Sequence, residues 1–174
     1  MKLYSSITYF FLIWIIAMLV IFYFGFANFP HSFQFKNDFL KSFANWDGGH
    51  YLGIAQFGYS EKYQYAFFPL YPLLINLINR LTNDYLVSAL LLSIGCAFLM
   101  FNLLFKLISL DFDKKIAQKV IIIILFFPTS FYLVTVYSES LFLLLTVACF
   151  FSIKKNNLFL ATIFTSLASG TMLV

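Results

Sequence analysis

From residue 7 to residue 27 the chain carries no charged side chain, and the same is true of residues 85–105, 120–136 and 141–153. A helix that is apolar all round has no face to turn to water, and ~20 such residues at ~1.5 Å each cover a ~30 Å hydrocarbon core. Runs of this kind, repeated along one chain, point to an all-α membrane fold, a multi-pass transmembrane helical bundle. Composition agrees: 62% of residues are hydrophobic and 10% charged, against ~45–50% and ~25% in soluble domains. The 22% aromatic content suits lipid contact and headgroup belts.

The first run exceeds the ~7–15-residue apolar core of a cleavable signal peptide and has no small-residue cleavage site, so it is expected to remain as an anchor. Further spans are expected at 85–105, 120–136, 138–153 and 158–174, with 120–136 interrupted by Pro128. Residues 63–80 are apolar, but Pro69 and Pro72 are expected to prevent an ordinary helix start before Pro72, leaving a re-entrant or interfacial piece too short to cross. Charge supports that reading. If 63–80 does not cross, Lys2, Lys106, Lys114, Lys115, Lys119, Lys154 and Lys155 share one face. The other face holds Lys36, Lys41, Lys62 and Arg80, balanced by Asp38, Asp47, Glu61 and Asp84. Lys and Arg gather on the cytoplasmic side, which places the loop 28–84 and the polar turn at 137–140 on the other. The chain stops at Thr171-Met172-Leu173-Val174, inside an apolar run, and the expectation is an N-terminal piece of a longer protein.

The net charge of +4 is scattered, with no basic patch of the kind that holds nucleic acid. Cys96 and Cys149 lie inside apolar runs and have no metal-type spacing, so they are read as small hydrophobes.

Against this background the stretch Asn45-Trp46-Asp47-Gly48-Gly49-His50-Tyr51, continuing through Gly53 to Gly58-Tyr59, is a polar island. A helix starting near it puts Asp47, His50, Tyr51 and Ile54 on one face. An acid beside an imidazole and a phenol can bind a sugar and take a proton from its hydroxyl. Trp46 offers an indole on which a sugar ring can stack, and Gly48 and Gly49 leave room for a bulky substrate beside the acid. The competing reading makes Asp47 a helix N-cap and His50 a hydrogen-bonded structural residue.

Glu139, in Tyr137-Ser138-Glu139-Ser140, sits between two apolar runs with little loop to hold it away from lipid. An ionisable group there is costly and is a functional candidate, the alternative being a solvated turn. Tyr137 and Ser138 can bind a phosphate or hydroxyl. Pro69, Pro72 and Pro128 follow the aromatic pairs Phe67-Phe68 and Phe126-Phe127. Such breaks free backbone carbonyls that must be satisfied within protein or at a cavity, and a cavity there can admit a polyprenyl tail or be no more than a packing kink.

Three motifs in this order resemble the PIG-V-type mannosyltransferases: Trp46-Asp47-Gly48-Gly49-His50-Tyr51 with Ile54-Ala55 and Gly58-Tyr59; Phe67-Phe68-Pro69-Leu70-Tyr71-Pro72; and Phe127-Pro128-Thr129-Ser130 with Tyr137-Ser138-Glu139-Ser140-Leu141-Phe142. The resemblance covers roughly residues 40–145. It implies a glycosyltransferase of the C superfold with its active face periplasmic or lumenal, a polyprenyl-phosphate-linked sugar donor, typically mannose, and a glycolipid or glycan acceptor. Asp47 then corresponds to the catalytic acid of the first loop, with Trp46, His50, Tyr51, Tyr137, Ser138 and Glu139 as substrate-binding candidates. Two positions depart from the pattern: Asn45 stands where relatives often place a basic residue, and Met172, after Thr171, stands where a Thr-Arg pair is common. No cofactor is implied, although Asp47 and Glu139 can share a divalent cation if they converge. The location expected is integral to the membrane, the plasma membrane in a bacterium or the endoplasmic reticulum in a eukaryote. A non-catalytic transporter or inactive fragment is the rival class. Ionisable groups at span ends rather than at the midplane favour the enzyme.

Overall fold

The computed structural model describes residues 2–29 and 38–172, with side chains from Ile7 onward. The Lys2 side chain, Lys36 and the terminal Leu173-Val174 of the charge and end arguments lie outside the described residues. Helix α1 (Lys2–Asn28) has neither proline nor a polar face. It buries a single stripe, Ile7, Phe11 and Trp14, spaced by four and three residues. The opposite face leaves Ile13, Ile16 and Val20 each more than 60% exposed, a surface suited to hydrocarbon and costly in water.

Helix α2 (Asp47–Phe57) follows a 3-10 turn at Lys41–Ala44, and a second 3-10 turn at Lys62–Ala66 precedes α3 (Leu70–Thr82). The start of α3 corrects the expectation drawn from its prolines. The helix begins at Leu70, with Pro69 in the capping position and Pro72 within the first turn. A first-turn residue needs no N–H for the helix ladder, so the ring does no harm there. The Leu70 N–H is also satisfied from outside the helix, by the Gly170 carbonyl at 2.9 Å.

Helices α3 and α4 (Tyr85–Ile108) form a hairpin that turns on Asn83 in the left-handed conformation, φ 55°. Asp84 then caps α4, accepting from the Leu86 and Val87 amides at 2.8 and 3.0 Å. Asp113 caps α5 (Lys114–Leu125) in the same way, through the Ile116 amide. α5 stops ahead of Pro128, and the Ser130 hydroxyl donates to the Leu125 carbonyl that the break sets free, at 2.7 Å. A 3-10 turn at Ser130–Val134 leads to α6 (Glu139–Lys154) and, after a second left-handed asparagine at Asn156, to α7 (Leu158–Ser169).

Two apolar clusters hold these helices. In one, Ile7, Phe11 and Trp14 of α1 meet Phe101 and Phe105 of α4 and Ile121 of α5. The other joins α2, α3, α4, α6 and α7 around Tyr51, Tyr71, Ile75, Val136 and Leu145. The two ends of α6 are tied to different parts of the chain. At one end an ion pair of 2.7 Å between Lys154 and Asp111 joins the α4–α5 and α6–α7 connections. At the other, the start of α2 meets residues 135–139. All regular elements among the described residues are helical, and two helices, Ile7–Asn28 within α1 and Tyr85–Ile108, are long and apolar enough to cross a membrane.

Gly48 lies where this fold is tightest. A Cβ on it would sit 3.0 Å from the Val136 carbonyl oxygen and 3.3 Å from the Ala44 Cβ, whereas one on Gly49 would come no nearer than 3.7 Å to any neighbour. Gly48→Ala is therefore predicted to destabilise the protein by about 1–3 kcal/mol through overpacking against backbone, while Gly49→Ala stays within about 0.5 kcal/mol of the parent. Thermal unfolding of the two variants in detergent measures the difference.

Candidate active site

The polar island is tied to a distant part of the chain before any of its side chains come into play. Asp38 starts the approach, accepting from the Lys41 amide and pairing with the Lys41 ammonium at 3.3 Å. Phe43 then stacks on Phe22 of α1, with ring centroids 4.6 Å apart. The Phe43 carbonyl accepts the Val136 amide at 2.9 Å, and the Tyr137 hydroxyl donates to the Asn45 carbonyl at 3.1 Å. Gly48 closes the contact against Val136. Its missing side chain therefore serves backbone packing, where the sequence suggested access for a bulky substrate; Gly49 is the one with space around it.

Between these ties Trp46 is held at φ 52°, ψ −117°. A bulky residue in that region costs about 1–3 kcal/mol and persists only where its surroundings over-determine it. Its indole is turned outward and is 64% exposed.

Asp47 is the first residue of α2, so Trp46 occupies the cap position and Asp47 caps nothing. An exposed acid in a first helical turn is favoured by the helix dipole. No hydrogen bond or ion pair among the described residues engages its carboxylate. It lines a cleft of about 320 Å³ together with Tyr51, Phe67, Phe68, Thr171 and Met172. The carboxylate that the N-cap reading would have occupied is free to act on a ligand.

Tyr51, one turn on, points inward. Its phenol oxygen lies 3.0 Å from Ser138 Oγ, and its ring meets Phe67 and Tyr71 edge-on at 5.1 and 5.0 Å. Burial raises the Tyr51 pKa, and the negative charges of Glu139 and Asp47 add to the effect while the Ser138 bond opposes it. Tyr137 is pushed up to about 12, by burial first and then by Asp47. Both phenols thus remain neutral O–H donors at physiological pH.

The remaining candidates are dispersed around this pair. His50 packs against the rings of Tyr63 and Phe67, at 5.2 and 5.3 Å, and is absent from the lining of the Asp47 cleft. Ser138 has no exposed surface and holds Tyr51 in place. Glu139 lines a different cavity of about 270 Å³ with Ser130, Tyr132 and Leu133, and its Oε2 is buried without a hydrogen-bond partner. Asp47 and Glu139 therefore face separate cavities, and among the described residues no three His, Cys, Asp or Glu side chains converge to hold a metal ion.

Two cleft residues, Phe67 and Phe68, were read from the sequence as part of a helix break and of a family-like motif, without a role at the site. Thr171 and Met172 lie far downstream, and nothing in their local spacing announces that α7 delivers them to the acid. A third cavity, about 530 Å³, opens on the other side of the island between α1 and the broken stretch 126–131, with Trp46 and Tyr137 in its wall.

The buried Tyr51–Ser138 bond predicts a coupled pair. Tyr51→Phe leaves the Ser138 hydroxyl without a partner and should cost about 1–3 kcal/mol. The double variant Tyr51→Phe/Ser138→Ala should cost less than the sum of the two single changes. A double-mutant cycle on thermal stability in detergent measures the coupling, and additive effects would contradict it.

Comparison with known proteins points to one family. The family model described as Mannosyltransferase (PIG-V) matches residues 26–173. The GPI alpha-1,6-mannosyltransferase 2 of Homo sapiens is 27% identical over a match 148 residues long that covers 79% of this chain and 30% of that protein. The proteins of the same name from Mus musculus and Cricetulus griseus match over equal shares at 27% and 25% identity. The chain thus spans about 30% of the length of these curated relatives. No solved structure matches significantly. A match running from the end of α1 to the residues that close the Asp47 cleft takes in the whole site, and the chain belongs to the PIG-V mannosyltransferase family.

Proposed function

We propose that this chain carries the catalytic acid of a multi-pass membrane glycosyltransferase that moves a sugar, mannose by family, from a polyprenyl-phosphate donor to a glycolipid or glycan acceptor at the non-cytoplasmic face. The observation that carries this reading is the Asp47 carboxylate, unengaged at the wall of its cleft, on a backbone fixed from both sides. Preorganised geometry of this kind is what a general base needs.

The step balances without a further reactant. The Asp47 carboxylate takes the proton of an acceptor hydroxyl, and the hydroxyl oxygen forms a bond to the anomeric carbon of the donor sugar. The bond from that carbon to the phosphate oxygen breaks on the opposite face, and the lipid phosphate leaves with the electron pair. The anomeric configuration is inverted. The Tyr51 phenol, kept protonated by its surroundings, is a hydrogen-bond donor beside the acid. Trp46 presents a flat apolar surface to a sugar ring. His50, Tyr137, Ser138 and Glu139 form the surrounding shell, of which Ser138 and Tyr137 act on the position of Tyr51 and of the island backbone.

The test is Asp47→Asn in membranes supplied with radiolabelled polyprenyl-phosphate-mannose. Transfer should fall by about 10²–10⁴-fold, the range expected for losing a general base, while expression and thermal stability remain those of the parent. A well-folded Asp47→Asn protein that transfers sugar at full rate would overturn the assignment.

A further inference from the structure

The end of α6 away from Glu139 has a cleft of its own, about 460 Å³, within the ~300–1,000 Å³ range of ligand pockets. Ile108 and Phe112 line it from the end of α4 and the connection that follows, Phe150 and Ile153 from α6. The Phe112 and Phe150 rings are 58% and 56% exposed, so the walls are apolar and uncovered. Its polar groups are the Asp111–Lys154 ion pair, which bridges the two walls at 2.7 Å, and Asn156 in the turn beyond α6. Lys155 stands beside it, with its ammonium 5.7 Å from the centroid of the Phe151 ring.

Charge at this end is one-sided. Lys114, Lys115 and Lys119 of α5, together with Lys155, are exposed and form no ion pair among the described residues. The two acids of the α4–α5 connection are both engaged: Asp111 pairs with Lys154, and Asp113 accepts the Ile116 amide that it caps.

We propose that this cleft binds an anionic phospholipid of the cytoplasmic leaflet, with its acyl chain between Phe112 and Phe150 and its phosphate beside Lys154, Lys155 and Asn156. In the orientation that the lysines favour, this end lies at the leaflet whose anionic headgroups attract basic segments. The α5 lysines supply the surrounding positive field. A zwitterionic lipid brings no net charge to meet it, and a free anion meets the charge but leaves the rings uncovered. A transmembrane helix is a poorer fit: ~10–12 Å across, it fills roughly 400–600 Å³ per turn, so the cleft has room for about one turn. The site is separate from Asp47, so its test reads binding and not sugar transfer.

Native mass spectrometry of the purified chain in a neutral detergent, titrated with phosphatidylglycerol and with phosphatidylcholine, counts the bound lipid. One phosphatidylglycerol should bind in preference to phosphatidylcholine. Lys155→Gln should weaken that binding about fivefold, the effect of one cation at a lipid surface, and Phe150→Ser should weaken it as well. Arg80→Gln, which removes an exposed cation in the last turn of α3, should leave it unchanged. Both altered cleft residues are exposed, and thermal unfolding of each variant should match the parent. A phosphatidylglycerol probe with a diazirine on its acyl chain should label residues 107–112 and 150–156, and glycerol phosphate should not compete.

Equal binding of the two lipids, or unchanged affinity in both Lys155→Gln and Phe150→Ser, would overturn the site. Competition by glycerol phosphate would make it a small-anion site, and protection of the cleft in a dimer would make it a contact between copies of the chain. Either result would overturn the proposal as well.

Discussion

The Val136 amide bonded to Phe43, the Tyr137 hydroxyl bonded to Asn45 and the bare face of Gly48 against the Val136 carbonyl join two stretches of chain, with 92 residues separating Tyr137 from Asn45. Everything at the site follows from that junction. The junction fixes both flanks of Trp46, so that the strained conformation of this residue is retained and α2 begins at Asp47. It also brings Ser138 beneath Tyr51 and so sets the phenol beside the acid. The Pro128 break makes the junction possible, because only a chain that leaves the α5 axis can deliver residues 135–138 to the first loop. Ser130 makes the break affordable by satisfying the Leu125 carbonyl.

Electrostatics and packing then divide the labour. Asp47 is exposed and unengaged, while Tyr51 and Tyr137 are buried, neutral and hydrogen-bonded. The two phenols are held in place by their hydrogen bonds, and the Asp47 carboxylate is the solvated group of the three. Asp47 lines the cleft closed by the end of α7, and its neighbour Trp46 lines a separate, apolar cavity between α1 and the Pro128 break.

The helical class, the island and the helix starting near Asp47 were legible in the sequence, because absence of charge over long runs and an isolated cluster of polar residues are strong one-dimensional signals. The Pro69–Pro72 pair misled, since a proline three residues into a helix reads the same as one that forbids it until the capping partner is known; here that partner is Gly170, a hundred residues away. Gly48 and Gly49 look alike in sequence and differ only in that Val136 lies against one of them. His50 fits the Asp47 face by periodicity, yet the aromatic rings of Tyr63 and Phe67 draw it aside. Ser138 looked like a ligand-binding hydroxyl and is a buried support. In each case the missing information was a contact between segments far apart in sequence.

In the proposed orientation the Asp47 end of the helices faces away from the cytoplasm and the end joined by Lys154 and Asp111 faces inward. Single cysteines in a background lacking Cys96 and Cys149 measure this directly. Gln56→Cys on α2 should react with a membrane-impermeant maleimide in intact cells, and Asn156→Cys in the α6–α7 turn only after permeabilisation. Labelling of Asn156→Cys in intact cells, with Gln56→Cys protected until the membrane is opened, would contradict the account.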